Sequence, residues 1–150
     1  MNPCIFCDIA SRKSPAHVIW EDDSFMAFLS IFPNTPGFTV VIPKAHHGSY
    51  FADVKTEVMD GLMRAVRTVA QLLDRKLPDV GRTGVMFEGF GVDHLHAKLF
   101  PMHGTKMGEW RQLKSNVDKF FDHYEGYISS HDYQRADDKT LEALARTIRS

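Results

Sequence analysis

The chain alternates polar and apolar residues through one stretch, His94-Leu95-His96-Ala97-Lys98-Leu99-Phe100-Pro101. Because successive side chains of a β-strand point to opposite faces, this pattern predicts a strand whose two histidines and lysine share one face. The apolar residues between them are then free to pack on a core. An imidazole beside a fixed cation suits nucleophilic or base chemistry on an anionic substrate, so the stretch indicates a reaction at a phosphate group.

The regions around this stretch predict further strands and one long helix. Strands are expected at residues 17–21, 25–29, 38–42, 83–87 and 94–101, separated by turn-forming residues. Apolar residues recur at helical spacing from Lys55 to Lys76, and a shorter helix is expected from Asp138 to Ile148. Strands flanking one principal helix indicate an α+β fold.

The region after the last strand is rich in aromatic side chains. They occur at Trp110, Phe120, Phe121, Tyr124 and Tyr127. So much apolar surface is expected to fold back on the domain or to pack on a partner.

Composition and charge exclude several classes of protein. The 150 residues, 43% hydrophobic and 25% charged, are typical of one soluble globular domain. A net charge of -1 gives no overall attraction to nucleic acid or to an anionic membrane, so neither is an expected partner. The N-terminus lacks the pattern of a secretion signal and no apolar stretch approaches membrane-spanning length, so a cytoplasmic location is expected.

The two cysteines, Cys4 and Cys7, form a Cys-x-x-Cys pair. In a reducing compartment such a pair is more often a metal half-site or a redox pair than a structural disulfide, and the eight histidines favour the metal. A zinc site of the Cys2His2 type would take two imidazoles from elsewhere, with His46 or His47 and His94 as candidates. The alternative is a pair of unbonded, buried thiols.

His96 is the expected reactive group, because His94 and Lys98 flank it on its own face. If a cation engages His94, His96 remains the free nucleophile, and Lys98 can stabilise phosphoryl oxygens as negative charge develops. The turn at residues 88–91 contains two glycines that would let backbone amides approach a phosphate. The alternatives are a solvated strand face and a simple turn.

These residues resemble the histidine triad (HIT) superfamily, whose signature is His-φ-His-φ-His-φ-φ, where φ is apolar. Further matching blocks follow in the family's order, at residues 4–7, 20–22, 27–29 and 33–44. The resemblance, which extends over about residues 4–104, implies an antiparallel five-stranded sheet with one long helix. It also implies a homodimer and a nucleotide cleft above the triad strand. Residues 1–104 would be the HIT-like domain, and 105–150 an extension packed on that domain or on the dimer partner.

The resemblance also implies an activity and a set of site residues. Enzymes of the family transfer or hydrolyse nucleotidyl groups, and His96 would attack an α-phosphate to give a covalent nucleotidyl-histidine. Zinc would be held by Cys4, Cys7, His46 and His94. Contacts with the nucleotide are expected from residues near the triad strand, namely Phe6, Ser30, Ile31, Gly89, Phe90 and Lys98.

Several residues depart from the family's pattern, among them Phe32 where Asn or Ser is common and the residues around Phe87, where an Asn is missing. Lys98 stands in place of the third histidine, Ser30 where many members have a ribose-binding aspartate, and Phe90 where a glutamine contacts phosphate. Lys98 would supply, as one charge, the phosphate contacts that are lost. The departures leave two alternatives to an enzyme: a nucleotide-binding or adaptor protein with weak or no turnover, and a structural zinc module acting in protein contacts.

Overall fold

A five-stranded antiparallel sheet forms the centre of the molecule. The computed structural model describes residues 4–114, 116, 122–123 and 128–150. The strands are β1 (Val18–Glu21), β2 (Phe25–Leu29), β3 (Thr39–Pro43), β4 (Thr83–Met86) and β5 (Ala97–Pro101). They lie in the order β1-β2-β3-β5-β4, and every neighbouring pair is antiparallel. The α+β fold with an antiparallel five-stranded sheet is therefore confirmed.

In the part of the chain that the structure describes, α-helices pack on both faces of this sheet and at its edge. They are α1 (Ile5–Ala10), α2 (Thr56–Lys76) and α3 (Asp138–Arg149), with a 3-10 turn at Phe51–Asp53. Helix α2 buries an apolar stripe on one face of the sheet, as its periodicity predicts. Helix α1, which the sequence did not predict, packs on the other face. Within the described ranges, no helix is both long and apolar enough to cross a bilayer.

Strand β5 begins later than predicted, at Ala97 rather than at His94. Before Ala97 the backbone bonds to loops instead of a strand: the His94 N–H donates to the Val92 carbonyl, and the Leu95 N–H to the His47 carbonyl. The alternation of faces nevertheless continues through these residues. Leu95 and Ala97 are fully buried in the core beneath α2, whereas His94 faces the side occupied by α1.

Helix α3 extends the core at the edge of the sheet. It packs against β1 and α2, and its side chains Leu141, Ala145 and Ile148 are buried in the same apolar cluster. Trp110 is exposed. The other predicted aromatics lie outside the described residues, namely Phe120, Phe121, Tyr124 and Tyr127. The division of the chain after residue 104 stays a prediction.

Glu142 on α3 forms ion pairs within the helix and with His17, which lies just before β1. Its carboxylate accepts hydrogen bonds from Arg149 at 2.8 Å, from His17 at 3.3 Å and from Arg146 at 3.1 Å. The Arg149 bond is the largest cause, and together they lower the pKa of Glu142 from 4.5 to about 2. A lowered pKa in the folded state stabilises the fold above the unfolded value, and this contribution is lost as the pH falls.

We expect Glu142→Gln to lower the free energy of unfolding at pH 6. The difference from the wild type should shrink as the pH falls from 4.5 to about 2, because the wild-type carboxylate is then protonated. Urea denaturation of the two proteins at pH 6, 4 and 3 measures the difference in unfolding free energy. Glu109→Gln, in an exposed loop, is the control and should give little difference at any pH. A Glu142→Gln deficit that stays constant with pH would contradict this.

Candidate functional site

Two cysteines and two histidines meet on the α1 side of the sheet. Cys4 and Cys7 lie at the start of α1, His46 follows β3, and His94 precedes β5. One side-chain N or S atom from each lies within 4.8 Å of the others. The Nδ1 atom of His94 is 3.4 Å from the Cys4 Sγ and 3.5 Å from the Cys7 Sγ, and the His46 Nδ1 is 3.4 Å from the Cys7 Sγ.

The spacing of these atoms fits a tetrahedral metal ion. Zinc bonds of ~2.3 Å to sulfur and ~2.0 Å to nitrogen place neighbouring S and N ligands about 3.5 Å apart. The His94 Nε2 donates to the Pro43 carbonyl at 2.8 Å, which leaves the Nδ1 lone pair directed at the cysteines. Burial lowers the pKa of His94 and favours the neutral form that a metal requires. The described residues thus contain a group that could hold a metal ion, and it includes His46 but not the alternative candidate His47.

His96 lies beside this group, and the backbone of His94 fixes the orientation of its ring. The His96 Nδ1 donates to the His94 carbonyl at 2.7 Å, so that Nε2 carries the free lone pair. The Phe6 ring packs edge-on against both imidazoles, with centroids 5.8 Å from His94 and 5.3 Å from His96. Burial lowers the pKa of His96 and the Lys98 charge lowers it further, which together outweigh the bond to His94 and the charge of Glu88. The imidazole is therefore neutral and oriented.

Lys98 is paired with a carboxylate that the sequence did not single out. Its ammonium forms an ion pair with Glu88 and donates to the Ser130 hydroxyl at 3.0 Å. The side chains of Lys98 and Glu88 are 12% and 6% exposed. Burial raises the pKa of Glu88, but the bond from Lys98 and the Phe90 N–H more than offset this and lower it overall. The cation at the third triad position is thus largely neutralised within the protein.

A cleft of about 340 Å³ opens beside His96 and Lys98. Its volume lies within the range of small-molecule sites. Of the predicted nucleotide-binding residues, Phe6, Ser30 and Ile31 line it together with Lys98. Most of the remaining wall is apolar, and it includes Pro15, Phe28, Phe32, Val40 and Val92.

Gly89 and Phe90, which were also predicted to contact the nucleotide, are not among the residues that line this cleft. Gly91 of the same turn lines it instead. Gly89 has a φ of +74°, and a Cβ at this position would lie 2.8 Å from the Ser49 carbonyl oxygen. Glycine is therefore required here by the close approach of the loop after β3. Phe90 is 74% exposed.

Three residues of the site were missed from the sequence, namely Glu88, Ser130 and Asp132. The signal for Glu88 needs the observed register: Met86 lies opposite Lys98, and strand alternation extended by two residues beyond Met86 would place residue 88 on the face of Lys98. No local pattern marks Ser130 or Asp132, which come from the C-terminal region.

Comparison with known proteins identifies the family. Residues 11–105 match the HIT domain. The chain belongs to the HIT family. It is 48% identical over 111 residues to an uncharacterized HIT-like protein of Mycobacterium tuberculosis, covering 70% of this chain and 76% of that protein.

Solved structures of HIT proteins have the same fold. A Zn-bound histidine triad family protein from Mycobacterium smegmatis is 25% identical with a TM-score of 0.68, covering 97% of this chain and 90% of that one. A HIT family hydrolase from Legionella pneumophila is 27% identical with a TM-score of 0.55, covering 72% of this chain and 97% of that one.

The buried ion pair generates a prediction about stability. We expect Lys98→Met to lower the unfolding free energy by about 3 kcal/mol, because it leaves the Glu88 carboxylate buried without its cation. Adding Glu88→Gln to Lys98→Met should recover part of this loss. Urea denaturation measures both, with the exposed Lys13→Met as a control of little effect. A loss no larger than that of the control would show that the pair does not form.

Proposed function

We propose that the protein is a nucleotidyl hydrolase or transferase that acts on a nucleoside phosphate ester, anhydride or phosphoramidate through a covalent intermediate on His96. The observation that carries this proposal is the buried, neutral His96, whose Nδ1 is fixed by the His94 carbonyl while the ring lines the cleft. The similarity to a HIT family hydrolase supports it.

In the proposed reaction the His96 Nε2 attacks the α-phosphorus of the nucleotide. A P–N bond forms, the bond from phosphorus to the leaving group breaks, and the leaving group departs with the electron pair and takes up a proton. Water or another hydroxyl acceptor then attacks the phosphorus and forms an O–P bond, while the P–N bond breaks and its electron pair returns to the His96 Nε2. The acceptor loses its proton to solvent, and the neutral imidazole is restored.

Lys98 is proposed to stabilise the phosphoryl oxygens during these steps. An ammonium has three N–H donors, and two of those on Lys98 are directed at Glu88 and Ser130. Counting only partners in the part of the chain that the structure describes, one donor remains for a phosphoryl oxygen. Because Glu88 balances the charge of Lys98, this hydrogen bond would orient the phosphate more than it would attract it. Gly89 and Phe90 remain predicted nucleotide contacts and would have to approach the ligand from outside the present lining.

We expect His96→Ala to lower turnover of dinucleoside polyphosphates and nucleoside phosphoramidates by a factor on the order of 10³ or more, because it removes the nucleophile. Mass spectrometry of the wild type, quenched with denaturant under alkaline conditions that preserve the P–N bond, should find a nucleotidyl adduct on His96. The exposed His123→Ala is the control and should retain both turnover and adduct. Unchanged turnover in His96→Ala would refute the assignment.

Zinc is the metal proposed for the group formed by Cys4, Cys7, His46 and His94. Two thiolates and two imidazoles are a donor set that zinc favours, and the similar protein from M. smegmatis is Zn-bound. Bound zinc would supply a structural cross-link between α1, the loop after β3 and the segment that precedes β5. The catalytic face would be stiffened because His94 also accepts the bond from His96.

Elemental analysis is expected to find one zinc per chain, and Cys4→Ser to lower both the zinc content and the thermal midpoint of unfolding. Chelation of the wild type should lower that midpoint in the same way. His46→Ala and His47→Ala form a matched pair: the first should lose zinc, and the second should keep it. A wild type purified without metal and unable to take up zinc would refute the site.

A nucleotide-binding protein without turnover is the second candidate function. The neutralisation of Lys98 by Glu88 favours it, since a free positive charge is then lacking at the third triad position. Tight nucleotide binding with neither adduct nor hydrolysis would support this candidate over the first. A homodimer and a cytoplasmic location remain predictions that accompany both, as does the packing of residues 105–150 on the domain or on the dimer partner.

A further inference from the structure

A C-terminal segment, residues 129–136, runs beside the loop that forms one wall of the cleft. The Tyr133 N–H donates to the Phe32 carbonyl at 3.2 Å, and the Ala136 N–H donates to the Ile31 carbonyl at 2.8 Å. Phe32 and Ile31 both line the cleft. The segment is thus fastened to the cleft wall by its own backbone.

Lys98 fastens the same segment from inside the site. Its ammonium donates to the Ser130 hydroxyl at 3.0 Å and also forms the ion pair with Glu88. The Asn34 amide donates to the Ser130 carbonyl at 2.7 Å. Ser130 is 8% exposed, so these bonds are shielded from water and strengthened accordingly. The lysine at the third triad position therefore connects β5 to the C-terminal segment.

This attachment places a carboxylate in the cleft wall. The Ser130 hydroxyl donates to the Asp132 Oδ1 at 2.6 Å, and Asp132 lines the cleft. His131 between them has a φ of +51°, a conformation that non-glycine residues seldom adopt without support from surrounding contacts. Among the residues that the structure describes, no group donates to the Asp132 Oδ2. Asp132 is exposed, so a ligand in the cleft can reach this carboxylate.

We propose that Asp132 accepts hydrogen bonds from the ribose hydroxyls of the bound nucleotide, and that Lys98 is the positioning residue that holds Asp132 in place through Ser130. The inference rests on the proposed function and names the part of the substrate that the cleft recognises. Residues 129–136 are therefore part of the binding site as well as of the fold.

The charges in the cleft give the ligand its orientation. A carboxylate repels a phosphate and attracts hydroxyl donors, so the phosphate lies toward His96 and the sugar toward Asp132. Ser30, which also lines the cleft, already accepts the Phe32 N–H at 3.1 Å. Within the described lining of the cleft, Asp132 is the carboxylate acceptor.

The test compares the affinities of AMP and 2′,3′-dideoxy-AMP for the purified full chain by calorimetry. We expect the wild type to bind AMP about three- to tenfold more tightly, as for a partly exposed hydrogen bond. Asp132→Ala should bind both ligands equally, at the weaker affinity. Asp23→Ala, in an exposed turn of the β1–β2 hairpin, is the matched control and should keep the preference.

The positioning role of Lys98 has its own readout. Lys98→Met and the milder Ser130→Ala should both reduce the ratio of the two affinities, whereas a role in stability alone would leave that ratio unchanged in the folded fraction. Adding Asp132→Ala to Ser130→Ala should reduce the ratio little further, because the two residues act in series.

The possible failures of this inference and of the proposed function are distinguishable. An Asp132→Ala protein that still prefers AMP would overturn the inference, while the His96 adduct would stand independently. A wild type that forms the adduct but binds AMP and 2′,3′-dideoxy-AMP equally would also overturn the inference and leave the proposed function standing. A wild type that binds neither ligand and forms no adduct would overturn both.

Discussion

The side chains around β5 must alternate between two faces because the core beneath α2 requires Leu95 and Leu99, both fully buried. This constraint directs His94 and His96 to the opposite face, where α1 packs. It holds even before Ala97, where strand pairing has stopped and loop carbonyls take over the backbone hydrogen bonds. Burial of the apolar residues, more than the hydrogen-bond ladder, therefore assembles the site.

His94 links the metal-binding group to the proposed nucleophile. Its Nδ1 faces the two cysteines, its Nε2 donates to Pro43, and its carbonyl accepts the bond from His96. One residue thus fixes the position of the ligand group and the orientation of the neighbouring imidazole. Phe6 on α1 packs against both rings, so the position of that helix affects the position of the imidazoles beside the cleft.

Electrostatics in the site are local and nearly balanced. The whole chain has a net charge of -1, so attraction for a phosphate has to come from a few groups in the cleft. Lys98 is neutralised by Glu88 and bonded to Ser130, which in turn bonds to Asp132. This chain of contacts makes the lysine as much a connector between β5 and the C-terminal region as a positive charge.

The sequence by itself determined the elements that have a strong local pattern. The residues of β2 were predicted at their observed bounds, and α2 to within one residue, because hydrophobic periodicity reports directly on the buried face. The six-residue α1 was missed because so short a helix has no clear period. The four metal-group positions followed from the family resemblance, and the structure brings them together.

Tertiary structure alone decided the start of β5 and the partners of Lys98. These depend on which segments meet: Ser130 lies 32 positions from Lys98 in the chain. A local pattern specifies which face a residue occupies. Which charged group or hydroxyl that residue contacts is specified only when the C-terminal region packs against the sheet. Burial of apolar side chains drives this packing, so neither segment contains a local pattern that identifies its polar partner.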